Sequence, residues 1–218
     1  YTPIYCSISH LIVSLLHQLF GLLNFKSGML STIQNKIVDD EIPSTHTTPD
    51  ALQINYLLTE MIEKGCEYCF MEVSSHAISQ SRISGLEFSG GVFTNITHEH
   101  LDYHGTFSEY RDVKKSFFDN LSSRAFALIN KDDKNGNKML EGTKAKKVSY
   151  SLESFSDYKC KVLEHQCGGM LIQINKVDIW LNLIGDFNAY NILSVYGVAN
   201  LFGLADYKVL TALSMLNS

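Results

Sequence analysis

The chain has 218 residues, 45% of them hydrophobic and 19% charged, a globular balance with enough apolar residues for one large domain or two small ones, which excludes a disordered chain. A net charge of −5 with a pI near 5.9 argues against a partner with a nucleic-acid backbone, leaving Lys144–Lys147 as the one dense basic run, and small-molecule chemistry is favoured. Five cysteines, odd in number and without a regular framework, point to a reducing compartment and hence the cytoplasm.

The first 25 residues carry no charged side chain, so a signal peptide or membrane span is the first question. Ser14, His17, Gln18, Gly21 and Asn24 recur every three or four residues opposite Leu15, Leu16, Leu19, Leu22 and Leu23, which is the period of an amphipathic soluble helix. No basic segment precedes it, and neither membrane reading is kept. Gly28–Ile33 reads as a short strand and Asn35–Pro43 as a polar excursion with a turn at Asp39-Asp40. Thr48 as N-cap, Pro49 at the first helical position and Gly65 at the end predict a helix from about Pro49 to Lys64.

Glu67–Val73 is strand-like and delivers Glu72 near its end, before a short helical piece running to Arg82. Cys66 and Cys69 form a CxxC, but no second pair exists at matching spacing and the strand is the preferred reading. Strands at Gly91–Ile96 and Ala125–Asn130 flank a helix from about Ser108 to Leu121, and a further helix follows Asp132-Asp133. Strands alternating with helices imply right-handed crossovers, a mostly parallel sheet, and ligands at the carboxyl ends of the strands. Lys147–Ser151, Tyr158–Glu164, Met170–Ile174 and Val177–Ile184 are short alternating runs with Gly168-Gly169 and Asn175-Lys176 as hairpin turns, predicting a small antiparallel meander at about 147–184. A helix then runs from Gly185-Asp to about Phe202, and another begins at Tyr207.

The chemistry is densest in Phe93-Thr-Asn-Ile-Thr-His-Glu-His-Leu-Asp-Tyr-His-Gly105, directly after an apolar β-branched run. His98, Glu99, His100, Asp102 and His104 offer imidazole and oxygen ligands, and a zinc-dependent hydrolase is one reading. The cluster resembles the HxHxDH signature of the metallo-β-lactamase superfamily, except that Tyr103 intervenes before His104, and no further ligand set follows downstream. A buried carboxylate at a strand end, as Glu72 would be, needs a cation to face.

Four ordered motifs, Glu72-Val-Ser-Ser-His-Ala77, Thr94–Gly105, Tyr110-Arg-Asp-Val-Lys114 and Gly185-Asp-Phe-Asn-Ala-Tyr-Asn191, resemble those of the central domain of Mur ligases. The likeness is greatest to the branch that adds the third stem-peptide residue in peptidoglycan synthesis, and it covers the chain from about Leu11 on. It implies a three-layer α/β fold akin to P-loop NTPases, and ATP-dependent amide formation through an acyl phosphate. By the same resemblance Glu72, His100 and a carbamylated Lys114 form the catalytic centre and bind Mg²⁺. Thr47, Thr48, Ser74, Gln80 and Arg82 grip UDP-MurNAc-dipeptide, while Asn188, Asn191, Asn130 and Asp132 lie on the nucleotide side. The implied partners are that substrate and an amino acid, diaminopimelate or lysine, with no nucleic acid or membrane, acting on a monomer.

The family's phosphate-cradling Gly-Lys-Thr loop is missing. Tyr5-Cys-Ser-Ile-Ser-His-Leu11 stands in its place, with no glycine before Gly21 and no lysine before Lys26, so neither the backbone nest nor the phosphate lysine can form. The expectation is one central domain over 1–218, incomplete at its start and without the family's flanking domains, hence inactive alone. A catalytically dead binding domain would share this fold.

Overall fold

A computed structural model describes residues 2–6, 10–44, 46–97 and 101–217, with side chains from residue 10 onward except at Leu101. Its eleven described strands form one sheet in the order β11-β10-β9-β8-β7-β6-β1-β5-β2-β3-β4. The centre is β1 (Thr2–Cys6), parallel to β5 (Tyr68–Glu72) on one side and to β6 (Gly90–Phe93) on the other. β2 (Ser27–Leu30) extends the parallel set beyond β5, and β7 (Phe126–Asn130) and β8 (Lys146–Ser151) extend it beyond β6.

Alternation along the strands builds two cores, one on each face. Phe70, Val92, Phe126 and Leu128 point to the side covered by α1 (His10–Leu22), α7 (Asp186–Leu201) and α8 (Asp206–Leu213). Their neighbours Cys69, Met71, Phe93, Ala127 and Ile129 point to the side covered by α2 (Ala51–Glu63) and α5 (Phe107–Asp119). The result is the expected three-layer sandwich. The CxxC is part of it: Cys66 and Cys69 are buried in the second core and not bonded to each other as a disulfide. Gly28 lets α2 come down onto β2, because a Cβ there would collide with the Met61 thioether. No helix among the described residues is long and apolar enough to cross a membrane.

Three expectations are corrected. The run at 147–151 is not part of the meander: β8 pairs parallel to β7, from Phe126 opposite Lys146 to Asn130 opposite Tyr150. The single helical turn α6 (Gly136–Met139) returns the chain between them, making β8 one more crossover strand. The antiparallel unit is therefore β9 (Tyr158–Gln166), β10 (Gly169–Ile174) and β11 (Val177–Leu181), closed at Asn175-Lys176 by two residues of positive φ, 50° and 65°, as a two-residue hairpin demands. The polar excursion is a hairpin, β3 (Gln34–Ile37) with β4 (Asp40–Pro43), whose charged and proline residues suit a sheet edge. The N-cap of α2 is Asp50, which accepts from the Gln53 amide at 2.9 Å, and Thr48 is released for another task.

Candidate functional site

Glu72 is the last residue of β5, beside the end of β2, and is half-buried. Its Oε2 accepts two hydrogen bonds from Thr32, one from the amide at 2.9 Å and one from the hydroxyl at 2.7 Å. Among the described residues Oε1 has no hydrogen-bond partner. Thr32 lies in the β2–β3 loop, and its hydroxyl is also 3.2 Å from that of Thr47.

Thr48, 1% exposed, fastens the segment before α2 to the same strand end. Its hydroxyl donates to the Glu72 carbonyl at 2.9 Å and accepts from the Ser74 amide at 2.9 Å. Ser74 in turn caps α3 (Ser75–Ser79) by accepting from the Ala77 amide at 3.2 Å. Arg82 reaches across from beyond α3 and donates from Nη1 to the Thr48 carbonyl at 2.8 Å, while its Nε and Nη2 both meet Gln80 Oε1. Gln80 completes the chain by donating to the Tyr103 hydroxyl at 3.3 Å. All five residues expected to grip a substrate are thus drawn into one connected network around the end of β5.

Lys114 is 3% exposed, on the inner face of α5, with Nζ 5.4 Å from the ring centre of Tyr110. Lys115 next to it shows the ordinary alternative, pairing with Asp119 at 2.6 Å and the Glu141 carbonyl at 2.7 Å on the rim. Helix α5 is started by Thr106 and Glu109 in a reciprocal capping box, which fixes the phase that turns Lys114 inward. His104, in α4 (Leu101–His104), is buried, with Nε2 2.9 Å from Ser75 Oγ and its ring stacked on Tyr110 at 5.2 Å. It therefore ties α3 to α5. His98, Glu99 and His100 lie outside the described residues, and among the described ones no three His, Cys, Asp or Glu side chains gather as a metal site. Glu72, an anionic oxygen donor with one oxygen unengaged, fits a hard cation such as Mg²⁺; an unmodified Lys114 ammonium does not.

The expected nucleotide side sits at the end of β7. Asn130 Oδ1 accepts from the Asp132 amide at 3.0 Å. Asp132 is enclosed: the Ser151 hydroxyl, the amides of Leu152, Glu153 and Ser154 and the Tyr190 hydroxyl all donate to it at 2.7–3.1 Å. Burial alone would raise its pKa, but these donors outweigh it and hold the carboxyl well below the usual carboxylate range. Burial, together with this hydrogen bond, raises the Tyr190 hydroxyl. Asn188, in the first turn of α7, donates to the Ile184 carbonyl at 2.8 Å and accepts from Asn191 at 3.2 Å. A cavity of about 320 Å³ opens alongside, lined by Leu152, Glu153, Tyr190, His165 and Asp186 among others. Thr32 and Tyr190 are not among the site residues expected from the sequence; the rule that ligands sit at the carboxyl ends of strands points to Thr32, directly after β2, and Tyr190 stands inside the Gly185–Asn191 motif without a role assigned to it.

Residues 6–199 match the family model of the Mur ligase middle domain. The chain belongs to the Mur ligase family. It is 50% identical over 206 residues to a UDP-N-acetylmuramoyl-L-alanyl-D-glutamate–2,6-diaminopimelate ligase of Cytophaga hutchinsonii and 52% identical over 205 residues to that of Phocaeicola vulgatus, each alignment covering 94% of this chain and 42% of the relative. This Mur ligase domain thus spans about two fifths of the length of these relatives. A solved structure of a ligase of the same name superposes with a TM-score of 0.89 at 24% identity, covering all of this chain and 46% of that one, and confirms the fold. Membership in this family replaces the zinc-hydrolase reading of the His98–His104 cluster.

Proposed function

We propose that this Mur ligase middle domain serves the ATP-dependent addition of an amino acid to UDP-MurNAc-L-Ala-D-Glu in peptidoglycan synthesis. The amino acid is diaminopimelate, which the relatives' names carry, with lysine the alternative. The substrate carboxylate takes the γ-phosphoryl group of ATP, releasing ADP. The amine then attacks the acyl carbon, phosphate departs with the bonding pair, and the new amide loses a proton. Two anions must be brought together, so the chemistry rests on positioning and charge neutralisation. The reading places the chain in the cytoplasm as a monomer that acts on small molecules, not on nucleic acid or a membrane.

The observation that carries this reading is the network around the end of β5, in which Thr47, Thr48, Ser74, Gln80 and Arg82 surround Glu72. In it Arg82 clamps a substrate phosphate or carboxylate with the donors that Gln80 and Thr48 leave over. Glu72, His100 and a carbamylated Lys114 hold Mg²⁺, which when bound neutralises charge between the phosphate oxygens. The inward position of Lys114 on α5 supports this role, since a carbamate exchanges its ammonium for a carboxylate-like group that can hold a hard cation. Asn188, Asn191, Asn130 and Asp132 shape the nucleotide side, Asp132 by holding the 152–154 loop and Tyr190 against the neighbouring cavity.

Residues 5–11 offer no glycine or lysine to cradle the ATP phosphates, so the 218-residue chain does not complete the reaction alone. The test is ADP release from the purified chain with ATP, Mg²⁺, UDP-MurNAc-L-Ala-D-Glu and diaminopimelate or lysine. None is expected, and turnover dependent on both substrates would overturn this assignment of the phosphate loop.

A further inference from the structure

We infer that Thr32 is a positioning residue, which aims the Glu72 carboxylate and links it to the substrate-gripping threonines. The inference rests on the reading of Glu72 as a cation ligand and adds to it a residue that no motif marks.

The geometry is specific to one oxygen. Thr32 donates to Glu72 Oε2 twice, from its amide at 2.9 Å and its hydroxyl at 2.7 Å, while Oε1 is left without a partner among the described residues. Two donors on one oxygen fix the rotation of the carboxyl group and leave the other oxygen to face a cation. The Thr32 hydroxyl has one proton. Because an ionised carboxylate only accepts, that proton belongs to Glu72, and in the 3.2 Å contact with Thr47 it is Thr47 that donates. The order is therefore Thr47 to Thr32 to Glu72, a short relay from the substrate side to the cation side.

Thr32 is exposed, yet it is not free to wander, because its neighbour Ser31 is completely buried and held on three sides. The Ser31 amide donates to Asn35 Oδ1 at 3.2 Å, its hydroxyl donates to the Gln34 carbonyl at 2.7 Å, and His10 Nδ1 lies 3.0 Å from the same hydroxyl. The β3–β4 hairpin is thus the support of this loop. Thr48 completes the bracket from the other side by holding the Glu72 carbonyl at 2.9 Å. Side chain and main chain of Glu72 are each held by a threonine hydroxyl, and only one carboxylate oxygen remains available.

The test is Mn²⁺ binding to the purified 218-residue chain, read from the free-ion electron paramagnetic resonance signal, for the parent and the variants Glu72→Gln, Thr32→Val, Thr32→Ala and Thr32→Ser. Losing one charge-assisted hydrogen bond at an exposed position is expected to weaken Mn²⁺ binding about threefold to tenfold in Thr32→Val and Thr32→Ala. Thr32→Ser should bind within about twofold of the parent, a rescue that a purely structural role of the methyl group would not give, and Glu72→Gln should abolish binding. Because Thr32 is exposed, all three Thr32 variants should melt within a few degrees of the parent. Parent-like Mn²⁺ affinity in Thr32→Val and Thr32→Ala, with binding lost in Glu72→Gln, overturns the role of Thr32 alone. A parent chain that takes up no Mn²⁺, or a Glu72→Gln chain that binds it like the parent, overturns the cation reading of Glu72 and this inference with it.

Discussion

At the end of β5, Glu72 has one oxygen held by Thr32 and the other without a described partner, whereas at the end of β7, Asp132 has both oxygens filled by five neighbouring residues. Both carboxylates occupy the position where a parallel sheet offers ligands a place, so position alone does not separate them. Unused hydrogen-bonding capacity does. A saturated carboxylate organises the chain around itself and builds a wall; a half-engaged one is turned outward by its supports and can meet a ligand. In the proposed reading, the contrast gives Asp132 an architectural role on the expected nucleotide side and Glu72 the direct contact.

The largest stability effect should come from the saturated site. Asp132→Asn withdraws a charged acceptor from three amides and two hydroxyls, and should cost about 2–3 kcal/mol in urea unfolding near neutral pH. The Asp132 pKa is depressed in the folded chain, so its contribution is full above the unfolded value of about 3.9 and fades only as pH falls toward the folded one. The gap between parent and Asp132→Asn should therefore narrow in acid; a constant gap would mean that the charge is not what holds the loop. Next is Thr48→Val, which leaves the part-buried Glu72 carbonyl and Ser74 amide without their shared hydroxyl and should cost about 1–2 kcal/mol, with Thr48→Ser recovering most of it.

Tyr190→Phe deletes a single bond to Asp132 at 2.9 Å and should cost about 1 kcal/mol by the same measurement, with amide exchange rising first in residues 152–154. The smallest effect is expected at the open site, where Glu72→Gln should change stability by less than about 0.5 kcal/mol. If Glu72→Gln destabilised the fold as much as Asp132→Asn, the distinction between the two carboxylates would collapse.

The layered architecture was legible because its signals are local and repeated: continuous apolar runs in β5 and β7, the 3.6-residue period of α1 and α5, and turn residues at Asn175-Lys176. What escaped notice has a physical reason in each case. The β3–β4 hairpin is polar, because an edge strand needs no apolar face, and so it reads as loop. The direction of β8 depends on α6, a single turn too short to leave a periodic trace. Thr48 looked like a helix cap because it stands where caps stand, before Pro49; the structure gives that task to Asp50 and uses the Thr48 hydroxyl across β5. Among the site residues, the family resemblance marked Glu72, Ser74 and Arg82, while the contacts that give Thr32 and Tyr190 their parts span 40 and 58 residues of the chain, beyond the reach of any local pattern.

The central claim is that the network around the end of β5 receives UDP-MurNAc-L-Ala-D-Glu, and its most direct test is amide chemical-shift mapping of the isotope-labelled chain titrated with that compound. The account predicts saturable shifts concentrated at Thr32, Thr47, Thr48, Ser74, Gln80 and Arg82, lost in Arg82→Ala and absent with UDP alone. Shifts of equal size spread over the surface, or none at millimolar ligand, would contradict it.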